Sequence, residues 1–92
     1  MNMSIDEIIN QVICISKKYN IEHLYLFGSY ATGTATPTSD IDFVVQGIRN
    51  KFDYLDEIDK IRTLKTIDIF DYDKCTNQFL KEDIAKYGRQ LY

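Results

Sequence analysis

GSYATGTATPTSDIDFVV, residues 28–45, decides how the chain folds and what it does. Its first twelve residues contain no large aliphatic side chain, and its last six begin with two aspartates that flank an isoleucine. Upstream lies His23-Leu24-Tyr25-Leu26-Phe27, a short apolar and aromatic run that Gly28 terminates, and it reads as a buried strand. Downstream, Asp40–Gln46 reads as a second strand that leaves through Gly47 and Asn50. The stretch between them has the composition of a linker. Neither flank is long enough to be a domain, so residues 28–39 form a loop, with room for a helical turn, inside one fold.

Side chains alternate across a strand, so Asp40 and Asp42 project from one face with Cα atoms about 6.5–7 Å apart. Ile41, Phe43 and Val45 project from the other and suit a packed core. Two carboxylates on one face repel, and the nearest basic residue in sequence is Arg49. A divalent cation is the counter-charge this spacing points to. Mg²⁺ binds carboxylates together with phosphate oxygens. Gly28-Ser29 supplies a matching phosphate cradle, because a glycine lets backbone approach closely and successive N–H groups form an anion-binding concavity. Tyr30 and Ser39, at the two ends of the loop, are further candidates for touching a nucleotide.

A third strand, Thr66–Phe70, carries Asp68 among Ile67, Ile69 and Phe70. A charge inside an apolar strand is costly unless paired or ligating. Asp68 is therefore the candidate for third metal ligand and general base. Asp40, Asp42 and Asp68 together would hold two ions for in-line attack on an α-phosphate. Asp71 and Asp73 read as loop acids and His23 as structural.

Outward from this centre the elements are helical. Ser4-Ile5-Asp6-Glu7 is a capping box, and Ile5, Ile8, Ile9, Val12 and Ile13 recur at helical spacing up to Lys17-Lys18 and a stop at Asn20. Tyr54, Leu55, Ile58, Ile61 and Leu64 give a second amphipathic helix, with its acidic residues on the wet side. A last helix starts at Thr76 as cap, carries Leu80, Ile84 and Tyr87 on one face, and ends at Gly88. Leu91 and Tyr92 then fold back onto the core. The order is α-β-loop-β-α-β-α, an α/β (α+β) arrangement with a small sheet flanked by helices.

Composition bounds the rest. Ninety-two residues suit one domain spanning 1–92. So short a domain buries a modest share of its surface, and a partner chain or a homodimer would widen its margin of stability. The net charge is −3, the wrong sign for a nucleic-acid surface. No apolar run is long enough to span a membrane. No basic segment followed by an apolar stretch opens the chain, and Cys14 and Cys75 form no metal-spacing motif, so the expectation is a cytoplasmic protein with reduced thiols.

Gly28-Ser29, ten residues, then Asp40-Ile41-Asp42 matches the Gly-Ser-x10-Asp-x-Asp signature of the DNA-polymerase-β-like nucleotidyltransferases. Nearly the whole chain, through its ending DIAKYGRQLY, most resembles the minimal nucleotidyltransferase (MNT) domains of prokaryotes. The resemblance implies the nucleotidyltransferase fold, with a mixed sheet of three to four strands, Mg²⁺ dependence with Mn²⁺ as a substitute, and an NTP donor. It also implies a role. Many MNT proteins are antitoxins paired with a HEPN-domain toxin, and some transfer AMP from ATP to a tyrosine of that toxin. The other reading is a non-catalytic antitoxin that neutralises a partner by covering its surface. Thr32 stands where many members carry Arg in a Gly-Ser-x-Ala-Arg-Gly pattern, so that position supplies no cation for phosphate.

Overall fold

The computed structural model describes residues 3–92. Helix α1 spans Ile5–Lys18 and begins as expected. Ser4 Oγ accepts the Glu7 N–H at 3.1 Å, and Glu7 Oε1 accepts the Ser4 N–H at 3.3 Å. Lys17 and Lys18 occupy its last turn, where positive charge meets the carbonyl end of the helix. Asn20 ends it at a φ of 58°, a left-handed conformation that Asn tolerates better than most residues.

Strand β1, His23–Phe27, leads into α2, Ser29–Thr32, a single turn inside the sequence-defined loop. Strand β2 is Ile41–Gln46, so Asp40 lies just before it. Helix α3, Lys51–Asp59, carries the chain over to β3, Ile67–Asp71. A 3₁₀ turn over Tyr72–Lys74 precedes α4, Gln78–Tyr87, and a two-residue strand β4, Arg89–Gln90. The sheet order is β3-β2-β1-β4. β1 runs antiparallel to β2 and β4, and β2 runs parallel to β3.

One face of this mixed sheet is packed. Leu24 and Leu26 of β1 and Ile41, Phe43 and Val45 of β2 meet Ile8 and Val12 of α1 and Tyr54 and Ile58 of α3, all buried. Burying each large aliphatic side chain contributes about 1.5–3 kcal/mol, so this layer holds the sheet to its two helices. The buried Ser16 and Tyr54 hydroxyls are paired at 2.7 Å, and burial pushes the Tyr54 phenol up to about 12. The end of the chain returns as anticipated. Leu91 N–H donates to the Leu24 carbonyl at 2.8 Å, and the Tyr92 hydroxyl donates to the Ile21 carbonyl at 3.0 Å.

Three expectations shift. The second amphipathic helix stops at Asp59 instead of running to Leu64. Lys60 N–H bonds to Glu57 O and Ile61 N–H to Ile58 O, tightening the last turn and redirecting the chain toward β3. Ile61 still reaches the core, while Leu64 is 88% exposed. The cap of α4 is Asn77, not Thr76: its Oδ1 accepts the N–H groups of Phe79 and Leu80 at 3.0 and 3.2 Å, a geometry Asn satisfies better than Thr. Of the apolar stripe on α4, Ile84 is buried but Tyr87 is half exposed. Gly88 follows α4 in an extended conformation. A side chain there would collide with the Ile84 carbonyl oxygen.

Candidate functional site

The second face of the sheet carries the acids. Register places Phe27, Asp42 and Asp68 in one row across β1, β2 and β3, and residues facing each other in register share a face. Asp40 lies two residues before Asp42. The chain turns at the end of β1 through Gly28, immediately beside this row.

Gly28 has a φ of 70°, and a Cβ built on it would sit 2.5 Å from Asp42 Oδ2. A side chain there would push the Asp42 carboxylate aside, and the left-handed φ is costly for any residue with one. The glycine of the Gly-Ser pair is therefore needed twice, for the turn into α2 and for contact with the carboxylate. The loop that follows Gly28 thus returns to bring Asp42 beside it. Ser29, half-buried, opens α2, whose first N–H groups have no intrahelical partner because a helix start never supplies one.

Asp42 is half-buried. Burial, then the charge of Asp68, then that of Asp40, and a hydrogen bond with Asp68 push its carboxyl above the usual range. Register sets Asp42 opposite Asp68 on neighbouring parallel strands, and Asp40 adds its charge from the more exposed position. Among the described residues no three His, Cys, Asp or Glu side chains converge tightly enough to cage an ion, and no ion pair involves Asp40, Asp42 or Asp68. Two neighbouring carboxyls with no basic partner are donors suited to a divalent ion that takes its remaining ligands from phosphate and water.

The other candidates fall into place around this pair. Ser39 braces the returning arm of the loop: its Oγ accepts the Thr36 N–H at 2.8 Å and lies 3.2 Å from Thr36 Oγ1. Tyr30 packs, half-buried, against the core. Thr32 is exposed, with its Oγ1 3.0 Å from Thr34 Oγ1 and 3.4 Å from the Gly28 carbonyl. Asp71 and Asp73 are engaged elsewhere. Asp71 accepts the Asp73 N–H at 3.1 Å and lies 3.8 Å from Lys51, and Asp73 accepts the Gly47 N–H at 2.7 Å. His23 is exposed, with Gln90 as neighbour at 3.4 Å.

One residue beside the loop escaped the sequence reading. Lys65, two residues before β3, donates to the Pro37 carbonyl at 2.8 Å and holds its Nζ 5.7 Å from the centre of the Tyr30 ring. Its signal was faint: a basic residue three positions ahead of Asp68 and none nearer the acids.

Comparison with known proteins places this geometry. The family model described as Polymerase beta, Nucleotidyltransferase matches residues 10–92. A Methanocaldococcus jannaschii protein named "putative protein adenylyltransferase" is 36% identical over 79 residues, covering 78% of each chain. Among solved structures, one of a toxin–antitoxin with AMP-PNP superposes with a TM-score of 0.74 at 24% identity, over 90% of this chain and 71% of that one. A variant of the MntA–HpeT toxin–antitoxin gives 0.72 at 22% identity, over 90% and 71%. Likeness at that identity speaks for the fold, and the fold agrees with the family match. The row of acids beside a glycine turn thus sits in a nucleotidyltransferase, and the chain belongs to the polymerase β nucleotidyltransferase family.

Proposed function

We propose that this nucleotidyltransferase moves AMP from ATP to a hydroxyl on a partner protein, with Mg²⁺ as its ion, and that it serves as the antitoxin of a HEPN toxin. The observation that carries the reading is the pairing of Asp42 with Asp68 in register beside the Gly28 turn. That pairing supports a site in which a triphosphate cradled by Gly28-Ser29 would lie beside the carboxylates. The relative named as a protein adenylyltransferase supports the acceptor class. The neighbour with AMP-PNP supports the donor.

In this reading Asp40 and Asp42 hold the divalent ions, with Asp68 as third ligand. When bound, those ions neutralise developing phosphate charge and favour in-line displacement at the α-phosphate. The protein does the remainder. Gly28-Ser29 orients the triphosphate, the braced loop from Thr36 to Ser39 keeps Asp40 at the head of β2, and Asp68 accepts the proton of the incoming hydroxyl. Pyrophosphate leaves as the new P–O bond forms. Tyr30 flanks the nucleotide from α2.

The second reading, an antitoxin that acts by surface contact alone, draws on one observation. Thr32 spends its hydroxyl inside the loop and brings no cation to phosphate. Labelled ATP, Mg²⁺ and the candidate partner separate the two. The enzymatic reading expects label in the partner, with at least a hundredfold loss for Asp40→Ala plus Asp42→Ala, the scale on which removal of charge-stabilising groups acts. Equal labelling by that variant, or none by the native protein, would refute it.

A further inference from the structure

We propose that Lys65 is a positioning residue that clamps the phosphate-side loop in the shape the nucleotide needs. The inference deepens the reading above and rests on it for its nucleotide half.

The loop from Gly28 to Asp40 leaves and rejoins the sheet beside Asp42, so its two arms determine where Ser29 and Asp40 stand. Its own sequence provides little to hold it. Tyr30 and Ala31 alone of its residues pack against the core, and its internal bonds run between neighbouring hydroxyls and amides, all on the exposed surface. Those bonds stay within one arm or the other: Thr32 with Thr34 on the outbound side, Thr36 with Thr38 and Ser39 on the return.

Lys65 spans both arms. Its Nζ donates to the Pro37 carbonyl on the return arm at 2.8 Å, and the same ammonium lies 5.7 Å from the Tyr30 ring on the outbound arm. The first contact is a charge-assisted hydrogen bond, the stronger kind. The second lies within cation–π range. The origin of the clamp is fixed as well. Lys65 N–H donates to Thr63 Oγ1 at 3.1 Å, and the Thr66 carbonyl next to it accepts the Ile41 N–H at 2.9 Å. The lysine therefore stands on the framework that aligns β2 with β3 and reaches across to the loop.

A loop held in its bound shape before the ligand arrives loses less freedom on binding. The clamp accordingly acts on nucleotide affinity and leaves the chemical step, which belongs to the aspartates, nearly untouched. It is also a different device from a phosphate-contacting arginine on α2: Lys65 grips protein atoms.

The test compares native protein with Lys65→Met, which keeps the stem and removes the charge, and with Lys65→Arg, which keeps the charge and a donor. Two measurements are made: amide hydrogen exchange over residues 29–38 without nucleotide, and titration with a non-hydrolysable ATP analogue plus Mg²⁺. The clamp expects Lys65→Met to speed exchange in that segment while exchange in β1 and β2 stays the same. It expects analogue binding to weaken about three- to tenfold, in line with a modest exposed interaction, with KM for ATP raised and kcat within twofold. Lys65→Arg restores most of both. Unchanged exchange in Lys65→Met overturns the clamp whatever activity does. Faster exchange with unchanged affinity overturns its role in nucleotide binding. Native protein that binds no nucleotide defeats that role together with the functional reading, while exchange still decides whether the clamp exists.

Discussion

The two faces of one strand show opposite solutions to burial. On β2, Ile41, Phe43 and Val45 enter a core where the buried polar groups are matched, the Ser16 hydroxyl meeting that of Tyr54. One step along the pleat, Asp42 stands opposite Asp68 and within the field of Asp40, and a Cβ on Gly28 would fall 2.5 Å from its Oδ2. The first face minimises free energy. The second sets Asp42 beside Asp68 with no basic partner among the described residues, an arrangement that raises the cost of ionising Asp42. Proteins hold such strain at sites of function, and the contrast within six residues separates stability from chemistry.

Substitution on the packed face should therefore be the most damaging to the fold. Phe43 is fully buried between the sheet and both helices. Phe43→Ala is expected to cost about 3–5 kcal/mol, read by urea denaturation. For so small a domain that approaches the whole margin of stability. A loss under 1 kcal/mol would show that the core does not depend on this face.

Gly28→Ala comes next. The added methyl meets Asp42 Oδ2 and sits on a φ of 70°, so two costs combine. A loss of about 1–3 kcal/mol is expected, together with loss of analogue binding. Gly33, which also has a positive φ but open space around it, is the control: Gly33→Ala should cost about 1 kcal/mol and leave binding intact. Equal effects of the two on binding would remove the argument that Gly28 serves the acids.

The smallest effect has the opposite sign. Asp42 in the folded protein holds its proton to higher pH than in the unfolded chain. The folded state thus binds more protons across that window, and stability falls as pH rises through it. Below the unfolded value the penalty vanishes, because both states are protonated. Asp42→Asn removes it and should raise the metal-free Tm at neutral pH by about 2–4 °C while abolishing transfer. Thermal melts from pH 3 to 7 check this: the native curve should decline relative to the variant as pH rises. A variant less stable than native at neutral pH would show that the carboxylate is structurally required.

Much of this contrast was legible in the sequence. Alternation along Asp40–Gln46 assigned each side chain its face, and the capping box fixed the start of α1 because its partners are local. The Gly-Ser spacing pointed to the site because a short loop between paired strands must bring its ends together. What sequence could not reach depended on tertiary geometry. Leu64 continues the helical period of α3 but sits beyond a turn that tightened to enter β3. Asn77 displaced Thr76 because two capping-competent residues stood side by side. Strand β4 is two residues long and exists only because β1 offers an edge. Lys65 meets Pro37 and Tyr30 from 28 and 35 positions away, and no periodicity encodes such a contact.

Titration of Mn²⁺ followed by its paramagnetic resonance, with and without a non-hydrolysable ATP analogue, tests the central claim most directly. The account predicts that the native protein binds Mn²⁺ more tightly when the analogue is present, that Asp42→Asn abolishes this binding, and that Asp68→Asn weakens it at least tenfold. Native binding that neither substitution disturbs would contradict it.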